Sequence, residues 1–217
     1  MQPKTERPAR TFTETARRAQ IVACAADVIA QAGYERATMA QIARQAGVAK
    51  SVISYHFADK NELLQELIRT AVATFTGFIE PRLAAQTTAR GKISAYLVGS
   101  ADYMTVHPNL HLAVLEIAFK ALGPDGLPLV ASMPLETHKP TLEHILLDGQ
   151  RAGELRDFDV QVMAGLVRSA VTHTMLLALR FSPGLDTQAY ASELATTFDL
   201  ATRASASTTS RAATTNS

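Results

Sequence analysis

Apolar residues return at three- and four-residue intervals over most of this sequence, which is the spacing of one face of a helix. Ile21, Ala25, Val28 and Ile29 mark the first such face. Thr11 with Glu14 has the form of a capping box to open that helix, and Gly33 is suited to end it. Thr38 with Gln41 is a second capping box, opening a short helix to about Ala46, with Gly47 at a turn where positive φ costs little. Residues 49–56 read as a third helix. Asp59 is placed to cap a fourth, with Glu62 in its first turn. This one carries Leu63, Leu64, Leu67, Ile68, Val72, Phe75 and Ile79, and Pro81 is expected to stop it.

Past Gly91 the pattern stays helical and becomes more uniformly apolar, predicting helices over 91–106, 108–122, 127–152, 159–181 and 186–203. His107-Pro108, Gly123-Pro124-Asp125-Gly126, Gly153 and Ser182-Pro183-Gly184 separate them. Pro134 and Pro140 are expected to kink or split the helix over 127–152. No sustained period-two alternation and no hairpin signal between β-branched runs is present. The expected class is all-α: an N-terminal three-helix helix-turn-helix domain followed by a C-terminal helical ligand-binding and dimerisation domain. The expected boundaries are a flexible basic arm over 1–12, the helix-turn-helix over 13–60, the helical domain over 61–203, and a disordered Ala/Ser/Thr-rich tail over 204–217.

Residues 38–57 carry the spacing a helix-turn-helix needs. Ala43 is small where two helices cross, Gly47 stands four residues on in the turn, and Ile53, six further, points back between the helices beside Ile42 and Val48. Left over for the outer face are Lys50, Ser51, Ser54, Tyr55 and His56, short or basic side chains able to approach base edges and phosphates. Thr38, at a helix start, offers a hydroxyl and free amides to a phosphate oxygen, and Lys60 is placed for a second.

Charge strengthens this picture. The formal net charge is only +1, but residues 1–62 hold nine Lys/Arg against six Asp/Glu, while the remainder holds twelve against fourteen. A basic front suits contact with a polyanion, and Arg18 within it is a further candidate phosphate contact. An apolar share of 47% is enough for most of the chain to fold. Val160–Leu179, the most apolar later stretch, is interrupted by Arg168 and His173, against a membrane span. The single cysteine, Cys24, agrees with a reducing cytoplasm, and no signal peptide is read at the start.

The first 65 or so residues resemble the DNA-binding domain of the TetR (tetracycline-repressor-like) family. The resemblance is carried by Gly33-Tyr34, Ala37-Thr38-Met39, Ile42-Ala43, Ala46-Gly47-Val48, Tyr55-His56-Phe57, Lys60 and Glu62-Leu63-Leu64. The family usually has a tyrosine directly after its aliphatic anchor, where this chain has Ser54 and places Tyr55 one position on. Further along, Gly153–Arg156 leading into a long apolar helix also resembles the family. The resemblance implies a homodimer whose last two helices form the interface, a pseudo-palindromic double-stranded DNA operator, and a small-molecule effector that releases a repressor. Val160–Leu179, apolar around most of its circumference, must be buried on every side, which independently fits a helix shared between a core and a partner.

An apolar or aromatic effector would be met by polar and soft residues set in the apolar pattern: Tyr103, Met104, His107, Phe119, Met133, His138, Val171, His173 and Met175. Each is also an ordinary core residue in the alternative reading. His107 and His111 are four apart, but Pro108 intervenes and no third ligand completes a tetrahedral set, so no metal and no cofactor is expected. Cys24 reads as a small core residue on the apolar side of its helix. There is no nucleophile elbow, phosphate loop or zinc-protease motif, so no enzyme is expected. The rival reading is an all-helical enzyme or carrier of a small apolar molecule without DNA binding.

Overall fold

A computed structural model describes residues 11–123, 125–132, 142–182 and 184–204; for residues 131–132 and 173–180 it describes the backbone alone. Among these are nine helices and no strand: α1 (Phe12–Ala32), α2 (Met39–Gln45), α3 (Lys50–His56), α4 (Lys60–Ala84), α5 (Ala89–Val106), α6 (Pro108–Lys120), α7 (Leu142–Arg151), α8 (Val160–Arg180) and α9 (Thr187–Thr202). The all-α class is as the periodicity requires.

Local chemistry sets the ends. Both capping boxes form: Thr11 and Glu14 exchange side-chain and backbone bonds at the start of α1, and Thr38 and Gln41 do so at α2. Gly33, at φ +85°, ends α1, and Pro108 occupies the first turn of α6.

Two expected limits are corrected. α4 continues through Pro81 to Ala84. Proline removes one N–H from the helix ladder, the one that would have bonded the Gly77 carbonyl. Hydrogen bonding then resumes from the Ala85 amide to the Pro81 carbonyl at 3.1 Å. Over 127–152, where a helix kinked or split at Pro134 and Pro140 is expected, the described residues form a 3-10 turn, Leu129–Ser132, and α7 from Leu142. Gly126, at φ +77°, turns the chain back so that the Leu129 amide bonds the Ala121 carbonyl at 2.8 Å and the Leu129 side chain is fully buried. Pro134 and Pro140 lie outside the described residues, as do residues 205–217 of the expected tail.

Two compact units divide the chain, one of residues 1–77 and 103–136, the other of 78–102 and 137–217. In the first, Ile21, Ile29, Ile42, Ile53, Phe57, Leu63, Leu64 and Leu67 are all but sealed from solvent. Each such aliphatic side chain is worth roughly 1.5–3 kcal/mol relative to exposure. α6 packs along α1 and adds Ala113 and Ile117 to this core. Polar bonds fasten the pair: Asn109 donates to Asp27 at 2.8 Å, and the Glu116 carboxylate accepts from the Tyr34 amide at 3.2 Å.

The second unit gathers α7, α8, α9 and most of α5. Gly149 permits its tightest approach, since a Cβ there would stand 2.5 Å from the Ala89 Cβ and 2.6 Å from Leu155. Arg90 grips Asp199 with two bonds of 2.6 and 2.8 Å, and the Arg156 amide bonds the Thr202 carbonyl at 2.9 Å.

Candidate nucleic-acid interface

The three constrained positions of the helix-turn-helix take the places their spacing implies. Ala43 is buried between α2 and α3, Gly47 adopts φ +67°, and Ile53 is sealed beside Ile42. The turn is closed by the Gly47 amide on Arg44 and the Val48 amide on Ala43, at 3.2 and 3.0 Å. With its apolar side committed to the core, α3 turns Lys50, Ser51, Ser54 and Tyr55 outward, and His56 is half-buried at its end. Thr38 is exposed at the start of α2, its hydroxyl engaged with Gln41 at 3.2 Å.

Tyr55 is 73% exposed, and its hydroxyl donates to Glu14 Oε1 at 2.8 Å. The bond and the nearby negative charge both raise the phenol's pKa. Glu14 is held below the usual carboxylate range, first by the Thr11 amide and then by Tyr55. Lys60 donates to the Tyr34 carbonyl at 2.8 Å and lies 4.1 Å from the centre of the Tyr34 ring. Burial lowers its pKa, and its ammonium ties the α1–α2 connection to the start of α4.

Arg18 is the correction among the expected contacts. It is 6% exposed and faces inward. Its guanidinium donates to the His56 carbonyl and to Glu62 at 3.1 Å and Glu66 at 3.4 Å, and stacks 3.9 Å above the Phe57 ring. A helix position with Ile21, Val22 and Ala25 on the same side points into the core, and the charge is accepted there because α4 supplies two carboxylates. A net basic count at the front of the chain could not distinguish this arginine from its solvated neighbours.

The expected effector residues are scattered. Tyr103 and Met104 are buried in the first unit. The Tyr103 ring lies 4.9 Å from that of His107 and 5.1 Å from that of Phe75, its hydroxyl reaches the Ala71 carbonyl at 3.4 Å, and burial pushes its pKa up to about 12. Phe119 is 77% exposed on the last turn of α6, so it is placed for no enclosed ligand within its unit. Val171 is buried in the second unit, beside Leu97, Ala101 and Ala191. His173 and Met175 lie on α8 with side chains outside the described residues, and Met133 and His138 are outside them altogether.

A cleft of about 710 Å³ that no sequence pattern indicates opens in the second unit, lined by Arg90, Ser94, Glu154, Ser192, Thr196 and Asp199. Its walls are joined by a pairing across 109 residues, beyond any local pattern. Cys24 is partly buried, and burial followed by the Asp27 carboxylate raises its thiol pKa, opposite to an activated thiolate. Among the described residues, no three His, Cys, Asp or Glu side chains are grouped to hold a metal, and no helix is long and apolar enough to cross a membrane.

Residues 21–67 match the family model for bacterial regulatory proteins, tetR family. The fatty acid metabolism regulator protein of Bacillus subtilis (strain 168) is 27% identical over 159 residues, spanning 72% of this chain and 80% of that protein. The HTH-type transcriptional regulator BetI of Escherichia coli (strain K12 / DH10B) is 35% identical over 91 residues, 41% of this chain and 47% of its own, so less than half of that relative is matched. Two solved structures share the fold. FadR from Bacillus halodurans, a fatty acid degradation regulator, gives a TM-score of 0.72 at 20% identity, covering 83% of this chain and 97% of that one. FadR from Bacillus subtilis in complex with stearoyl-CoA gives 0.71 at 23% identity, covering 82% and 95%. The matched segment contains the helix-turn-helix whose packing is described above, and it is over these residues, 21–67, that the chain is similar to bacterial regulatory proteins of the tetR family.

Proposed function

We propose that this protein is a homodimeric repressor whose α3 helices read DNA and whose operator affinity is lowered by a small apolar-chain effector. The observation that carries this reading is the helix-turn-helix core, with Ala43, Gly47 and Ile53 committed to packing and the polar face of α3 left in solvent. Lys50, Ser51, Ser54 and His56 are the residues assigned to the base edges of the major groove, and Tyr55 to a phosphate at its rim. Thr38 contacts a phosphate, and Lys60 adds positive charge at the edge of the domain. Two copies set two such helices into successive major grooves of a pseudo-palindromic operator, roughly 34–36 Å apart.

Dimerisation is assigned to α8 and α9, where Val162, Leu166 and Leu200 are each more than half exposed in a single chain. The effector is assigned to the helical region beyond the reading domain, with Tyr103, Met104, His107, Met133, His138, Val171, His173 and Met175 as candidates. A long-chain acyl thioester is the first class to test, because a structurally similar regulator was solved with stearoyl-CoA. The chain works as a regulator rather than an enzyme, in the cytoplasm beside its DNA.

Fluorescence anisotropy on duplexes from the DNA flanking its own gene tests the reading. The expected result is salt-sensitive, sequence-preferring binding that weakens when stearoyl-CoA is added. By linkage, operator DNA must weaken effector binding by the same factor. Binding without salt or sequence dependence would sink the assignment, whereas binding that ignores stearoyl-CoA would redirect only the choice of effector.

A further inference from the structure

On the outward face of α3, the Tyr55 hydroxyl already has an anionic partner. It donates to Glu14 Oε1 at 2.8 Å, between residues 41 positions apart. The other carboxylate oxygen accepts from the Thr11 amide at 2.9 Å and the Thr11 hydroxyl at 3.1 Å. Glu14 is therefore held by its own helix cap at the point where it meets Tyr55.

A carboxylate and a phosphate present the same chemistry to a phenol: a charged oxygen that accepts its O–H. A phosphate approaching Tyr55 must either displace Glu14 or stop beside it, and both outcomes bring two anions together. We propose that Glu14 is a built-in stand-in for a DNA phosphate, an autoinhibitory contact that occupies Tyr55 in the unbound chain and lowers affinity for duplex DNA in general. The inference rests on α3 being the reading helix. Because a backbone contact carries no base information, the effect is the same for operator and unrelated duplex.

Glu14→Gln removes the charge and, with its one amide oxygen kept in the capping box by Thr11, leaves a donor NH₂ rather than an acceptor at Tyr55. Full-length wild type, E14Q, Y55F and the double variant are compared on an operator duplex and a scrambled one across a series of KCl concentrations. E14Q is expected to tighten both duplexes alike, by roughly three- to fivefold at low salt. The slope of log Kd against log salt should steepen by up to about one. In the Y55F background the gain should shrink, because part of it comes from freeing the phenol. An E14Q affinity within about twofold of wild type, or weaker, overturns the proposal.

A second readout needs no DNA. Followed by NMR of the ring carbon bearing the hydroxyl, Tyr55 should ionise at lower pH in E14Q than in wild type, and an unchanged titration overturns the contact itself. A wild type that binds no duplex sinks the reading of α3 together with this one. Wild-type binding left unaltered by E14Q sinks this one alone.

Discussion

Arg18 connects three helices through one guanidinium, reaching the His56 carbonyl at the end of α3 and Glu62 and Glu66 on α4. Arg18→Met keeps an aliphatic stem over Phe57 and removes the charge, taking a donor from the His56 carbonyl and a cation from Glu62 and Glu66, of which Glu66 keeps Arg69 at 2.7 Å. The expected loss is about 2–3 kcal/mol in urea unfolding, at the lower end for a buried pair because both glutamates retain some solvent. The salt slope of DNA binding should not change; a stable variant with a shallower slope would return Arg18 to the phosphate backbone. His111 makes a different prediction. Its Nε2 is buried with no partner among the described residues, and burial lowers its pKa from 6.5 to about 4. The folded state thus holds the neutral ring while the unfolded chain takes up a proton, so this contribution to stability is complete above pH 6.5 and is lost as pH falls towards 4. Near pH 5 the deficit is about 2 kcal/mol, and His111→Leu should lose correspondingly less stability than wild type between neutral pH and that point. Equal acid losses in the two proteins would contradict the burial argument.

Helix contacts respond to glycine according to what faces it. On α7, a Cβ at Gly149 would overlap Ala89 and Leu155, one of them through a Cβ that cannot swing aside. Gly149→Ala should cost roughly 2–3 kcal/mol, read as a lowered thermal midpoint. Gly165 on α8 has nothing within 4 Å of the same added atom. Gly165→Ala should raise the stability of the isolated chain by up to about 1 kcal/mol through helix propensity. No loss at Gly149 would mean that α7 is packed more loosely than its geometry indicates, and a loss at Gly165 would mean that α8 is covered there. Most helix ends are legible in the order of residues, since a capping box spans four positions and a terminal glycine marks one turn. The two that differ are at Pro81, past which α4 resumes its hydrogen bonding, and over 127–152, where the burial of Leu129 is not a property of the local pattern.

Val162 and Leu166 stand one helical turn apart on α8 and are 59% and 53% exposed. If α8 is the surface by which two copies join, Val162→Glu with Leu166→Glu places four like charges in the interface and should yield a folded monomer, seen by sedimentation equilibrium with unchanged helical circular dichroism. Operator affinity should then fall by on the order of a hundredfold, because the second half-site is no longer bound at high effective concentration. A persistent dimer would move the interface to another face. The effector assignment has a weaker footing in sequence than the reading helix. Tyr103 with His107 and the separately placed Val171 fit an apolar pattern in which core and ligand contact look alike, whereas Ala43, Gly47 and Ile53 are constrained by size, backbone conformation and shape at fixed offsets.

Helical class, both capping boxes and the turn between α2 and α3 follow from interactions among residues no more than a few positions apart, and the order of amino acids determines those directly. The similarity to the tetR family also rests on that segment, where residue type and spacing are both restricted. Folding in three dimensions decided which of the basic and polar side chains remain outside. Arg18 meets a carbonyl 38 residues away, Lys60 one 26 away, and Tyr55 a carboxylate 41 away. Side chains of one type carry the same charge in any sequence, but whether that charge faces a phosphate or a neighbouring helix depends on where distant segments come to rest. The position of α3 after its turn therefore follows from residue order alone, while the inward turn of Arg18 and the hold of Glu14 on Tyr55 do not.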